Sequence, residues 1–209
     1  MISETKAQTL LDVPRETIAR LEQLADLLRE ENQRQNLVSE GSLAEIWSRH
    51  FLDSAQLVRF APQHAQTWLD LGSGAGFPGL IVALVGPFSV TLVESRRLRA
   101  EFLRRAVALL GLGDRVEILC ARAETIEARA FDVISARAFA PLERLLPLAG
   151  RFSSLGTVWI LPKGRSAESE LAAVRSSWQG EFRLEPSLTD PDARIIVASG
   201  VRMKGKKHR

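Results

Sequence analysis

Apolar positions recur every three or four residues through roughly the first 60 residues of the chain, then switch to short unbroken runs. From Asp12, DVPRETIARLEQLADLLREENQRQ sets Ile18, Leu21, Leu24 and Leu28 on one helical face, with Pro14 suited to a helix start. Ser42 and Glu45 stand at capping-box spacing ahead of Ile46, Trp47, Phe51, Leu57 and Val58, which predicts a second helix over SLAEIWSRHFLDSAQLVRF.

After APQHAQ the runs have strand length: TWLDL (67–71), SVTLVE (89–94), RVEIL (115–119), FDVISA (131–136) and GTVWIL (156–161). Between them the sequence predicts helices over Gly79–Val85, Arg96–Leu110, Glu124–Arg129 and Pro141–Phe152. Such alternation builds an α/β fold with a parallel sheet covered on both faces. EFRLEPSL and ARIIVASG, joined by a loop containing TDPD (189–192), read instead as a C-terminal antiparallel strand pair. The chain thus divides into an N-terminal helical extension (1–62) packed on a core domain (63–201) and a basic tail (202–209).

At 209 residues the chain can build one principal core without covalent staples. Cys120 is the single cysteine, so an intramolecular disulfide is ruled out, a reducing cytoplasm is expected, and no metal site is. Preceded by a strand, Cys120 is expected to be a small buried hydrophobe. The longest apolar run is too short to span a bilayer, and MISETKAQTLLDV lacks the order of a signal peptide, so we expect a soluble, unexported monomer. The net charge of +3 is unevenly spread: residues 202–209 hold five Lys and Arg, leaving −2 on the rest. Arg96, Arg97, Arg99, Arg104 and Arg105 are dense on one predicted helix and, with the tail, are candidate phosphate contacts.

The turn after the first strand, DLGSGAGFPG, fits two spacings. Gly74-x-Gly76-x-x-Gly79 is that of a dinucleotide turn, and Asp70-x-Gly72-x-Gly74-x-Gly76 that of an S-adenosylmethionine site. Charge favours the second, because a carboxylate at Asp70 is a poor neighbour for a pyrophosphate and a good one for an ammonium and a sulfonium. Glu94, closing the second strand, can accept from ribose hydroxyls with either cofactor, and Glu124 adds an acid after the third.

With those residues in view, the chain resembles class I S-adenosylmethionine-dependent methyltransferases. Within them it is similar to the RsmG (GidB) family, the 16S ribosomal RNA guanine-N7 methyltransferases. The similarity runs through QNLVS (35–39), EIWSRHFLDSAQL (45–57), WLDLGSGAGFPGL (68–80), VTLVESRRLRAEFL (90–103), AETI (123–126), FDVISARAFAPLERLL (131–146) and LPKG (161–164). The resemblance implies a Rossmann-like sheet with N-terminal helices, and a target guanine in the 530 loop of 16S rRNA in the small ribosomal subunit. It implies that Gly72, Gly74, Gly76 and Phe77 line the donor pocket, Gly72 and Phe77 at its methionine end. Glu94 and Ser95 would meet the ribose, Ala123 and Glu124 the adenine, and Arg137 the donor or target.

Guanine N7 has a free lone pair at neutral pH, so its methylation needs alignment and water exclusion more than a base. The sequence carries neither a cysteine placed for attack at cytosine C5 nor an Asn/Asp-Pro-Pro-aromatic run for an exocyclic amine. Arg137 and Lys163 are catalytic candidates through their positive charge on a carboxylate or phosphate, Lys163 being equally readable as a solvated loop lysine. His50, three residues before Asp53 on a predicted helix, is read first as a structural hydrogen-bonding link to the sheet and second as an acid or base.

Overall fold

The structure, a computed structural model, describes residues 2–205. Its sheet is built around β1 (Thr67–Leu71), which pairs in parallel with β2 (Ser89–Val93) on one side and β4 (Val133–Ser135) on the other. β3 (Val116–Leu119) extends the first side and β5 (Val158–Lys163) the second, both parallel. The last two strands, β6 (Trp178–Pro186) and β7 (Arg194–Met203), are antiparallel, and the order is β3-β2-β1-β4-β5-β7-β6. β7 thus lies between β5 and β6, and it runs two residues into the stretch the sequence assigns to the tail. Residues 206–209, with most of the tail's lysines, lie outside the described residues.

Alternation along β1 divides the core. Trp68 joins a cluster on one face with the N-terminal helices, α5 (Gly79–Val85) and α6 (Arg97–Leu109), whereas Leu69 and Leu71 face α7 (Leu142–Ala149) and α8 (Ala167–Val174). The extension begins with α1 (Glu4–Leu10), unforeseen in the sequence and capped by Ser3. It continues in α2 (Arg15–Asn32), which buries Leu21, Leu24 and Leu28. Each buried leucine contributes about 1.5–3 kcal/mol, far above the tenths at stake in surface propensity, so docking holds α2 in place.

Two predicted helices differ. The second does not start at Ser42: Ser39 caps α3 (Glu40–Ala44), accepting from the Ser42 amide, and Glu45 closes rather than opens it. A π-helical segment (Trp47–Leu52) follows, then a short α-turn, α4 (Asp53–Ala55), and a 3-10 turn (Gln56–Phe60). Glu4 supplies the missing cap across the chain, accepting from the amides of Trp47 and Ser48 at 2.9 Å. The helix expected over Glu124–Arg129 is only a 3-10 turn at Ala123–Thr125, because ETIEAR offers Ile126 alone for burial. Cys120 is exposed, not buried: β3 is an edge strand and Cys120 lies just past its end. No helix among the described residues is long and apolar enough to cross a membrane.

Candidate active site

At the carboxyl end of β1 the chain turns through Gly72, Gly74 and Gly76, with φ of +70°, +56° and +92°. These values penalise any residue with a Cβ, which is why the turn needs glycine. The amides of Gly72 and Ser73 donate to the Val93 carbonyl, at the end of β2. Glu94, only 5 % exposed, accepts from the Gly74 amide at 3.0 Å and the Arg96 amide at 2.8 Å. Its carboxylate therefore holds the glycine turn and the start of α6 together, and each oxygen keeps a second lone pair. Ser95 is exposed beside it; Ala123 is buried and Glu124 exposed in the turn after β3.

Asp70 does not face this turn's ligand side. Strand alternation sets it on the Trp68 face, under α5, where it is fully buried. Trp68 Nε1–H donates to Ser135 Oγ at 2.8 Å, the Ser135 hydroxyl to Asp70 Oδ1 at 2.8 Å, and the Gly79 amide to Asp70 Oδ2 at 3.2 Å. The carboxylate thus ties β1, β4 and α5 together, and the charge argument that singled it out for a sulfonium neighbour is corrected: it supports the turn from beneath.

The cleft beside the turn, of about 770 Å³, is lined by His50, Asp53, Arg137, Phe139 and Lys163 among others, but by none of the three turn glycines, Phe77 or the strand-end acids. Phe77 joins the two regions. His50 stacks on its ring, with centroids 4.7 Å apart and planes 12° from parallel, and the Arg137 guanidinium lies 5.3 Å from its centroid. Arg137 donates to His50 Nδ1 at 2.9 Å, to Asp53 Oδ2 at 3.2 Å and to the Arg49 carbonyl at 3.1 Å. An arginine can only donate, so Nδ1 accepts and the proton of the neutral ring sits on Nε2, which is buried without a hydrogen-bond partner among the described residues. Asp53 Oδ1 also accepts from Thr189 Oγ1 at 2.9 Å and from Gln56 Nε2 at 3.0 Å. One carboxylate thereby links the N-terminal extension, the loop after β4 and the β6–β7 loop.

Lys163 is neither a solvated lysine nor a free cation. Its Nζ donates to the Ala140 carbonyl and pairs with Glu170 Oε2, both at 2.8 Å, with 11 % of the side chain exposed. Of the arginines on α6, Arg97 pairs with Glu101 and Arg105 with Glu31 of α2, while Arg104 and, just before the helix, Arg96 are exposed.

Two buried groups titrate abnormally and with opposite effects. Burial, against hydrogen bonds from Ser135 and the Gly79 amide, pushes the Asp70 carboxyl up from 3.8 to about 6. Burial and then the charges of Arg137 and Arg49 lower His50 from 6.5 to about 3. Asp70 binds its proton more tightly folded than unfolded, so its contribution to stability is greatest in acid and declines as pH rises from 3.8 to about 6. His50 stays neutral in the fold while the unfolded chain protonates, so its contribution is present above 6.5 and is lost as pH falls towards 3. The two oppose each other in between, with an Asp70 effect on the order of 3 kcal/mol. Asp70→Asn should therefore lose stability more steeply than wild type when urea midpoints are followed from about pH 6 to about pH 4; parallel curves would mean that Asp70 does not titrate in this window.

The profile of the family described as "GidB: rRNA small subunit methyltransferase G" matches residues 17–188. A ribosomal RNA small subunit methyltransferase G from Rhizorhabdus wittichii is 54 % identical over 209 residues, covering 98 % of this chain and 96 % of the relative. The chain belongs to the rRNA small subunit methyltransferase G family. The fold of this RsmG-family chain is that of class I methyltransferases. It superposes on mitomycin 7-O-methyltransferase MmcR with a TM-score of 0.61 at 19 % identity, covering 95 % of this chain and 72 % of that one. For the ribosomal protein L11 methylase of Lactobacillus delbrueckii subsp. bulgaricus the TM-score is 0.57 at 17 % identity, covering 74 % and 78 %. The resemblance of the RsmG motifs in the sequence is thus matched over nearly the whole chain, and the glycine turn belongs to a methyltransferase, not to a dehydrogenase. The donor of such an enzyme, S-adenosylmethionine, fits what the turn offers. Around Gly74 an added Cβ would meet only ordinary contacts, Gly72 O at 3.8 Å and Arg99 Nη1 at 3.9 Å, so half-buried backbone without a close neighbour stands beside the carboxylate of Glu94.

Sequence reasoning missed the partners that hold the cleft together. Thr189 and Glu170 carried no motif, and Gln56 and Asp53 lay in the EIWSRHFLDSAQL segment, where only Asp53 was singled out, for its spacing from His50. Phe139 lay in the FDVISARAFAPLERLL segment without a role.

Proposed function

We propose that this chain transfers the methyl group of S-adenosylmethionine to N7 of a guanine in the 530 loop of small-subunit rRNA. The donor would lie along Gly72, Gly74, Gly76 and Phe77, with Glu94 and Ser95 at the ribose and Ala123 and Glu124 at the adenine. The guanine would enter the cleft walled by His50, Arg137 and Lys163.

The observation that carries this reading is that the three candidate bases packed into the cleft wall, His50, Asp53 and Glu170, are each engaged by a cationic side chain. The His50 lone pair is taken by Arg137. Asp53 accepts from Arg137, Thr189 and Gln56. Glu170 accepts from Lys163, Ser166 and the Leu142 amide. Such a site suits a nucleophile that needs no deprotonation, and guanine N7 is one. Bound S-adenosylmethionine supplies a methyl on a sulfonium, so that the N–C bond forms as the C–S bond breaks and the electron pair leaves on sulfur. The chain's own residues orient the acceptor and exclude water. On this reading the chain acts as a monomer in the cytoplasm, on the small ribosomal subunit or its assembly intermediate.

The test is transfer of labelled methyl to small ribosomal subunits from cells lacking this protein, with the base located by N7-dependent strand scission. Label on a single guanine N7 is expected, and its single-turnover rate should be flat between roughly pH 6.5 and 8.5. Label on another atom, or a rate rising tenfold per pH unit, would refute the base-free mechanism.

A further inference from the structure

We propose that Phe139 is the face on which the target guanine stacks; the inference rests on the rRNA-methyltransferase reading above. Phe139 is 37 % exposed and lines the cleft, and it is the one aromatic among the large hydrophobic side chains exposed in the described residues.

Three features hold its ring in position. Ala138 has φ of +52°, a conformation rare for a residue with a Cβ, and it turns the chain immediately before the ring. A Cβ on Gly72 would stand 2.2 Å from Phe139 Cδ2, so the ring lies directly over the bare Cα of the first turn glycine. The chain on both sides is anchored: the Arg137 side chain to Asp53 and His50, the Ala140 carbonyl to Lys163, and the Leu142 amide to Glu170.

The chemistry explains why a flat apolar face is wanted there. The N7 lone pair lies in the plane of the base, so in-line transfer requires that plane to contain the methyl–sulfur axis. An aromatic ring against the base fixes the plane while leaving N7 and O6 untouched. A ring lying on the glycine turn sets that plane next to the donor pocket. Stacking on aromatic side chains is also how proteins hold unpaired RNA bases, and it is sequence-tolerant. Phe139 therefore supplies orientation and affinity rather than the choice of guanine.

The experiment compares wild type, F139A, F139L and F139Y in methyl transfer to unmodified small subunits, alongside calorimetric binding of S-adenosylhomocysteine. F139A and F139L are expected to lose about ten- to a hundredfold in kcat/KM, with F139Y within about threefold of wild type and product affinity unchanged in all. Recovery by F139L equal to that by F139Y would mean packing on Gly72, and loss of S-adenosylhomocysteine binding in F139A would assign the ring to the donor pocket; either result overturns the proposal. Failure of the wild type to label the subunits while still binding S-adenosylhomocysteine would instead overturn the functional reading, and the stacking role with it.

Discussion

Gly76→Ala should destabilise the protein by about 2–5 kcal/mol, summing strain of about 1–2 kcal/mol in the left-handed region and about 1–3 kcal/mol of overpacking. The φ of Gly76 is +92°, and an added Cβ would stand 2.3 Å from Leu80 Cδ1 and 3.2 Å from Leu103 Cδ2. Both leucines are fully buried, so neither can yield without disturbing α5 or α6. The same strain acts on the turn that receives the donor, so S-adenosylhomocysteine affinity should fall with stability. Gly113→Ala is the control: it has no positive φ and nothing within 4 Å of an added Cβ. Urea denaturation of the two variants tests the assignment, and equal midpoints would show that the turn relaxes without cost.

Asp53→Ala should lower kcat/KM for methyl transfer about ten- to a hundredfold while leaving donor affinity near wild type. Asp53 and Arg137 are 20 % and 19 % exposed, so their bond is shielded enough to matter without being a fully buried pair. The substitution removes an acceptor from Arg137, Thr189 and Gln56 together, and hydrogen bonds to charged groups contribute about 1.5–3 kcal/mol each. Arg137 would then be held only by His50, the Arg49 carbonyl and the face of Phe77. Asp53→Asn, which keeps an acceptor but not the charge, should fall between. Steady-state kinetics on small subunits decide this; wild-type values for Asp53→Ala would mean that the cleft does not depend on the link.

How much of this was legible in the sequence depended on the range of the interactions. α5 was legible to the residue, because Gly79–Val85 is an unbroken apolar run between a proline and a glycine. The five parallel strands were legible from their run length, and the antiparallel pair from the short loop between its two runs. α8 carried a signal that went unread: Ala167, Leu171 and Val174 share one helical face and all three are buried. The position of β7 between β5 and β6 was not legible, since run length gives a strand but not its neighbour. In the site, the glycine turn and Glu94 could be found because local spacing defines them. Asp70 misled because charge alone was weighed, although alternation from Trp68 already turned it under the sheet. The cleft's bonds were out of reach: Arg137 meets Asp53 across 84 residues and Thr189 meets it across 136, and no local pattern records a pairing of that span.

The insertion of β7 has a consequence for the newly made chain. β6 is synthesised before the strand that joins it to the sheet, so until Arg194–Met203 have left the ribosome β5 ends in an open edge and β6 has no partner. An unpaired edge beside an unpaired strand is what aggregation and proteolysis act on. A product interrupted before Arg194 therefore carries the whole glycine turn and most of the cleft, yet is marked for removal by its own unfinished sheet.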